Sequence, residues 1–483
     1  MNGAIGRFLG LPPVCWFFCT DHITERKPLK SKRKDASKRT STAGKIKSRK
    51  QTYFCRELLQ GIRRFLPKRG LPLQLPGNSK ICWTPRLIVI CAILMVWSNA
   101  QTLKDRFADA RLATVAMYSS RRRPGKTAEG FIAILCKHSG ALVELVCQTL
   151  RAAVREIAGR NWTVEGWLVF AADGTRVECP MTRANEKGFG CAGKGKTTPQ
   201  QFLTMLLHLG TGLPWAWIRG HSRSSERRHL GRMVKRLPRE SMLVADAGFT
   251  GYELLRSVMA AGGQFLIRVG SNVRLLKKLG YRFKENDGIV YLWPEKQRNK
   301  PPLMLRLIVL HDGKKIVHLL SSVLKESQLS NGSASVIYRR RWGIELYYRT
   351  LKQTMGKTKL LSDSPRQARV ELDWSVVALW ILGLMTVSRL IASGRDPAGC
   401  SLAHALRVVR DAMRNIHRHC RRGILASRLR QAVLDKYRRT SRKKARHWPH
   451  KKTQQPPGTP KMRTASREER AAAQAFRPLQ AAA

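Results

Sequence analysis

Acidic side chains are scarce: 31 Asp and Glu stand against 91 Lys and Arg, a formal net charge of +60 at pH 7. A charge of that size repels itself unless a polyanion neutralises it. Nucleic acid is the default polyanion, and an anionic membrane surface the weaker one. Long apolar runs are missing too. The longest clean ones cover residues 87–97 and 376–387, 11 and 12 residues, against the ~20 that a bilayer needs, so both read as buried helices and no membrane partner is expected. Residues 8–19 look faintly like a signal h-region, but Pro12 and Pro13 interrupt it. No small-residue cleavage site follows, and the cationic run behind it would resist export, so a cytoplasmic location is expected. The eleven cysteines contain no CxxC pair, which argues against a disulfide framework or a zinc ribbon and for a reducing interior. His417, His419 and Cys420 are close in sequence, but Arg414, Arg418, Arg421 and Arg422 around them oppose a metal cation. Apolar mass is not lacking. With 43% hydrophobic residues the chain can build a large core, and its length implies two to four domains.

Basic segments frame this core. Residues 26–50 carry twelve Lys or Arg and one acid, Asp35, with many Ser and Thr, and cannot bury enough surface to fold. Residues 436–452 hold nine basic residues and no acid, followed by Pro456, Pro457 and Pro460. We expect a basic flexible arm over 1–52 and a basic disordered tail over 436–483, both touching phosphates without reading sequence. Between them, Phe54, Leu58, Leu59, Ile62, Phe65 and Leu66 keep helical spacing, as do Leu142, Leu145, Val146, Leu150, Val154 and Ile157 up to Gly159. Residues 53–160 therefore read as a helical region that could hold a DNA-end-binding module.

From Trp167 the period changes. A short apolar run, 168–172, ends on Asp173-Gly174-Thr175, and runs at 202–209 and 215–219 are joined by Gly210-Thr211-Gly212, which is hairpin chemistry. A helix over about 224–237 follows, then a strand, 242–245, ending on Asp246-Ala247-Gly248, a helix over 252–260 and a strand over 264–269. Meander, helix, strand, helix, strand is an α/β order. It occupies 161–400, interrupted at about 271–323 by a β-rich insertion whose short strands are separated by Asp287-Gly288, Pro301-Pro302 and Asp312-Gly313. A long helix over about 335–355 resumes the pattern, and 401–435 reads as a C-terminal helical region.

In so basic a chain, an acid at the C-terminal end of a strand is conspicuous, and Asp173 and Asp246 both end apolar runs before glycine-containing turns. Open α/β sheets place their working residues there, although Asp-Gly is also a common turn dipeptide. On the long helix, Tyr338, Arg341, Glu345 and Lys352 fall within a stripe some 60° wide at about 100° per residue. Ile337, Ile344, Tyr348, Leu351 and Met355 form the neighbouring apolar stripe that packs on the sheet. A solvated Arg341–Glu345 pair would be worth only about 0.3–0.5 kcal/mol; four polar residues aligned along the rim of a buried face point instead to a site. Asp173, Asp246 and Glu345 would supply three carboxylates, the oxygen donors preferred by Mg²⁺ or Mn²⁺. Two such ions can activate an attacking oxygen and stabilise a leaving one in phosphodiester displacement. Arg341 and Lys352 would neutralise flanking phosphates, and Tyr338 would donate to one or stack on a displaced base.

The segment Tyr338-x2-Arg341-x3-Glu345-x6-Lys352 resembles, in full, the Y-x2-R-x3-E-x6-K pattern of bacterial insertion-sequence transposases of the IS-four family. Asp173-Gly174-Thr175 and the stretch from Val244 through Asp246 to Tyr252 look like that family's first and second acidic motifs, in the same order, and the likeness spans roughly 165–395. The resemblance implies a ribonuclease-H-like catalytic core with a DDE triad of Asp173, Asp246 and Glu345. It also implies metal-dependent cleavage of double-stranded DNA at terminal inverted repeats, strand transfer into target DNA, and a homodimer in a synaptic complex in the bacterial cytoplasm. A non-catalytic basic DNA-binding protein, or a structure-specific nuclease on the same core, is the competing expectation. Among minor candidates, Glu178 reads as a turn residue, Lys194 and Lys196 as a basic loop without Walker spacing, and Trp342 as a flank of the polar stripe that could stack on a base or pack in the core.

Overall fold

A computed structural model of the protein describes residues 51–67, 82–118, 124–192, 198–281, 288–312, 315–435 and 457–476. The basic segments at 26–50 and 436–452, and Lys194 with Lys196, lie outside the described residues. A short strand, β1 (Gln51–Tyr53), leads into helices α1 (Phe54–Arg63), α2 (Pro85–Trp97), α3 (Leu103–Met117) and α4 (Ala128–Ala158). Thr84, Thr102 and Thr127 cap the last three, each accepting a backbone N–H with its side-chain oxygen. Next come β2 (Leu168–Glu178), α5 (Arg183–Phe189), β3 (Gln200–His208), β4 (Leu213–His221), α6 (Glu226–Met233), β5 (Ser241–Ala245), α7 (Tyr252–Ala260) and β6 (Gln264–Val269). Four more strands, β7 (Arg274–Lys277), β8 (Ile289–Leu292), β9 (Leu303–Asp312) and β10 (Lys315–Ser321), precede α8 (Asn331–Arg340), α9 (Trp342–Arg349) and a π-helical turn (Thr350–Thr354). The described chain ends with α10 (Pro365–Ala392), α11 (Leu402–Arg414), β11 (His419–Arg421), α12 (Ile424–Arg430), β12 (Lys461–Thr464) and α13 (Arg467–Gln474).

Ten strands form one mixed sheet in the order β12-β7-β8-β9-β10-β6-β5-β2-β3-β4. The meander is antiparallel, and β5 and β6 then add parallel to β2. Antiparallel β9 and β10 join directly onto β6, so the strands after residue 271 extend the same sheet. Against it lies the helical layer. The central helix, α10, packs on α4, α2 and β4, with Trp374 and Trp380 fully buried. Trp97, also fully buried, donates Nε1–H to Ala378 O at 3.1 Å; burying a side chain of that class is worth about 1.5–3 kcal/mol. At the far end, α1 packs against α11 and α12, and Gly423 N donates to Glu57 Oε1 at 3.0 Å. Both α4 and α10 are long and apolar enough to cross a membrane by length and composition, but 83% of the apolar window of α10 is buried inside the protein.

Three expectations need correction. The strand carrying Asp173 does not stop there: β2 runs on to Glu178 because β3 keeps pairing with it, Asp173 opposite Met205 and Glu178 opposite Gln200. The helix expected over 335–355 is broken at Arg341 into α8 and α9 and ends in the π-helical turn. The tail expected to be disordered over 436–483 is ordered over 457–476. There β12 pairs in parallel with β7, Ser466 and Glu469 form a capping box at the start of α13, and Phe476 meets Trp293 edge-on at 6.2 Å. Glu469, hydrogen-bonded by Arg463 and paired with Arg298, has its carboxyl held down to about 2. Pro457 passes so close to Gly270 that a Cβ there would lie 2.3 Å from Pro457 O. Only glycine admits this approach.

Candidate active site

Register sets two aspartates side by side. Along the parallel β2–β5 pair, Ala171 stands opposite Val244. Two residues further on, the same register puts Asp173 beside Asp246, on strands spaced about 4.7–4.9 Å apart. Each carboxylate is fixed by the turn that follows it: Gly174 N donates to Asp173 Oδ1 at 2.8 Å, and Gly248 N to Asp246 Oδ1 at 2.9 Å. Tyr348, on the buried face of α9, donates its hydroxyl to Asp173 O at 2.7 Å and so locks that helix against the strand.

The same helix brings up Glu345. Its first turn follows directly on Arg341, whose Nη2 donates to Glu345 Oε1 at 3.0 Å. The apolar stripe lies as the periodicity requires, with Ile337, Ile344, Tyr348, Leu351 and Met355 all buried. Trp342 is 51% exposed, so of its two expected roles core packing is excluded; its ring lies 5.2 Å from the Arg341 guanidinium carbon. Lys352 falls in the π-helical turn, beyond the stretch where the α-helical stripe is maintained.

The electrostatics tie these groups into one cluster. Burial pushes the Asp173 carboxyl up to about 7; Gly174 opposes the rise, Asp246 and Glu226 add to it, and Arg341 opposes it. Glu345 is also raised, by burial first and against the pull of Arg341, with Asp246 adding to the rise. Burial disfavours the charge of Arg341, yet Tyr338, Glu345, Asp173 and Asp246 together raise its pKa. Tyr338 is raised by burial. The structure therefore groups Asp173, Asp246, Glu345, Tyr338 and Arg341. Glu178 is the last residue of β2, its backbone bonded to Thr358 and Leu360, outside this group.

A further acid, Glu226, was not singled out in the sequence. It opens α6 behind the N-cap Ser225 and is raised by burial and then by Asp246. The available signal was an acid among Arg223, Arg227 and Arg228, in a chain short of acids. Among the described residues, no group of three or more His, Cys, Asp or Glu side chains is arranged so that it could hold a metal ion. The donor type does suit a hard divalent cation: carboxylates in mutual repulsion, beside buried polar atoms, Tyr338 Oη and Arg341 Nε, that form no well-aligned hydrogen bond among the described residues. His419, weighed earlier as a metal ligand, instead lies against the ring of Tyr53 at 4.0 Å.

The raised Asp173 gives a signed prediction. Its folded pKa exceeds the unfolded value, so between about pH 4 and pH 7 the folded state holds more protons and stability falls as pH rises. Asp173→Asn should raise the melting temperature of the metal-free protein at pH 8, and the gain should vanish below about pH 4. Thermal denaturation at the two pH values checks this.

A family profile described as "Transposase DDE domain" matches residues 167–381. The transposase InsG for insertion sequence element IS4 of Escherichia coli is 27% identical over 231 residues, 45% of this chain and 51% of that protein. A protein assigned to insertion sequence element IS4SA of Synechocystis sp. is 19% identical over 188 residues, 38% of this chain and 52% of its own length. The chain thus spans about half the length of the curated relatives it matches. A piggyBac transposase in a synaptic complex with hairpin DNA, solved by cryo-EM, aligns over 81% of this chain and 89% of that one at 13% identity. Its TM-score of 0.38 is too low to bear on fold or function.

Proposed function

Because residues 167–381 are a transposase DDE domain of the IS4 kind, we propose that the whole chain is a DNA transposase that cleaves strands at the ends of an insertion element and joins them to target DNA. The observation that carries this reading is the pairing of Asp173 with Asp246 in one register row, with Glu345 brought to them by α9. The meander followed by two parallel strands supports a ribonuclease-H-like core. Asp173, Asp246 and Glu345 would hold Mg²⁺ or Mn²⁺, two ions in all, after side-chain adjustment on their backbone elements. Bound there, such ions would supply Lewis acidity to the attacking and leaving oxygens of phosphodiester displacement.

The protein's own residues do the rest. Arg341, buried and charged, faces the carboxylates and would take a non-bridging phosphate oxygen, which also pairs its free Nε. Tyr338 would donate its hydroxyl to the same phosphate. Trp342, exposed at the rim, offers a stacking surface for a base. Lys352 would neutralise a phosphate further along the strand. The basic segments at 26–50 and 436–452 would add contacts that follow the backbone without reading sequence. The helical region before β2 would carry end recognition, and two copies would hold two ends.

Cleavage of duplexes bearing the element's terminal repeats should require Mg²⁺ or Mn²⁺. It should be lost in EDTA and return when the ion is restored, while Ca²⁺ should support binding with little cutting. Robust cleavage after thorough chelation would sink the metal-dependent reading. A protein that binds these duplexes but never cuts them under any ion would be the non-catalytic alternative, and one that cuts but never joins would be a nuclease.

A further inference from the structure

The carboxylate of Glu226 lies between the two aspartate turns. A Cβ built on Gly174, the residue after Asp173, would meet Glu226 Oε1 at 2.6 Å, and one on Gly248, which fixes Asp246, would meet Glu226 Oε2 at 3.7 Å. The two oxygens therefore span the gap that separates the turn of β2 from the turn of β5. Neighbouring arginines are committed elsewhere: Arg227 Nε donates to Gly248 O at 2.7 Å and Arg176 Nε to Ser222 O at 3.2 Å. No ion pair of Glu226 is formed among the described residues.

Charge counting gives the same result. Asp173, Asp246 and Glu226 share one enclosed region, and the buried cation beside it, Arg341, gives its Nη2 to Glu345. Tyr338 and Arg341, 9% and 7% exposed, face the cluster with Tyr338 Oη and Arg341 Nε lacking a well-aligned partner among the described residues. Three carboxylates that outnumber the cation able to reach them, beside unpaired buried donors, form a site built to receive both a divalent cation and an anionic ligand.

We infer that Glu226 is a fourth carboxylate of this site and a direct ligand for the divalent cation, taking up the position that Glu345 leaves while it is paired with Arg341. The inference rests on the reading of Asp173 and Asp246 as cation ligands. It assigns α6 a role in the chemistry beyond covering the meander. The alternative is a structural one, in which Glu226 only complements the N-terminal end of the α6 dipole.

The two roles separate when Mn²⁺ binding to the full chain, free of DNA, is measured by isothermal titration, with thermal denaturation of the metal-free protein alongside. Glu226→Gln should weaken Mn²⁺ binding at least tenfold and leave the metal-free melting temperature equal or higher, because a like charge is removed. Glu129→Gln, which removes a first-turn acid from α4, should leave Mn²⁺ binding unchanged. Glu226→Asp should retain part of the affinity by keeping the charge on a shorter arm. Wild-type affinity in Glu226→Gln, or a lower metal-free melting temperature in that variant, overturns the inference. If Asp246→Asn then abolishes Mn²⁺ binding, the cation reading of the aspartates survives without Glu226. If Asp173→Asn and Asp246→Asn also bind Mn²⁺ as the wild type does, that reading falls first and takes this one with it.

Discussion

Asp173→Asn, Asp246→Asn and Glu345→Gln should each lower DNA strand cleavage by at least about a thousandfold, while DNA affinity stays within about threefold of wild type. A thousandfold loss corresponds to about 4 kcal/mol of transition-state stabilisation. That is the scale expected when an oxygen ligand for an ion that polarises the reacting phosphate is removed. Each substitution preserves side-chain shape, so the turn hydrogen bonds from Gly174 and Gly248 and the packing of α9 should persist. Single-turnover nicking of a labelled duplex, with anisotropy for binding, measures both quantities. Wild-type cleavage by any one variant removes that residue from the site. Asp173→Asn is the sharpest of the three, because the change that silences the chemistry is expected to stabilise the fold at pH 8.

The second large effect lies behind the site. Lys357 Nζ meets Glu371 Oε1 at 2.6 Å with side chains only 2% and 7% exposed. Glu371 Oε2 also accepts from Leu361 N and Ser362 N, each at 3.0 Å, and from Ser362 Oγ at 2.8 Å. Lys357 and its hydrogen bonds hold the Glu371 carboxyl below the usual range against the cost of burial. Lys357→Met leaves that carboxylate buried without its cation and should cost about 3–5 kcal/mol of unfolding free energy. Adding Glu371→Gln removes the stranded charge and keeps an acceptor, so the double variant should recover at least about 1 kcal/mol. Urea denaturation of the single and double variants checks both numbers. A cost below about 1 kcal/mol for Lys357→Met would mean that the pair is not holding the loop after α9. The pair also matters for the site: beside it, Leu360 N bonds to Glu178 O and Glu178 N to Thr358 O, tying the segment that follows α9 to the strand that carries Asp173.

Patterns with a strong local cause were legible in the sequence. The hairpin at Gly210-Thr211-Gly212, the alternation of strand and helix through β6, and the buried stripe from Ile337 to Met355 come from turn chemistry and apolar period. So does the placement of Asp246, since β5 ends at Ala245 for want of further apolar residues. What tertiary pairing decides was not legible. β2 continues past Asp173 because β3 offers it a partner. The π-helical turn inserts a residue's worth of slack that no propensity announces. β12, Lys461-Met462-Arg463-Thr464, is exposed at every position and is held by its backbone ladder to β7, so it carries no alternation to detect. Glu226 reaches the aspartates only through the packing of α6 on β2, β3 and β4.

That last strand of the sheet has a consequence for how the protein is made. β12 pairs in parallel with β7, yet it is translated after every other described strand of the sheet and well over a hundred residues behind its partner. While the ribosome traverses the intervening helices, β7 presents an unpaired edge, the kind of template on which nascent chains pair with one another. Lys277 and Lys278 at the end of that edge supply the charge that discourages such pairing until the late strand arrives.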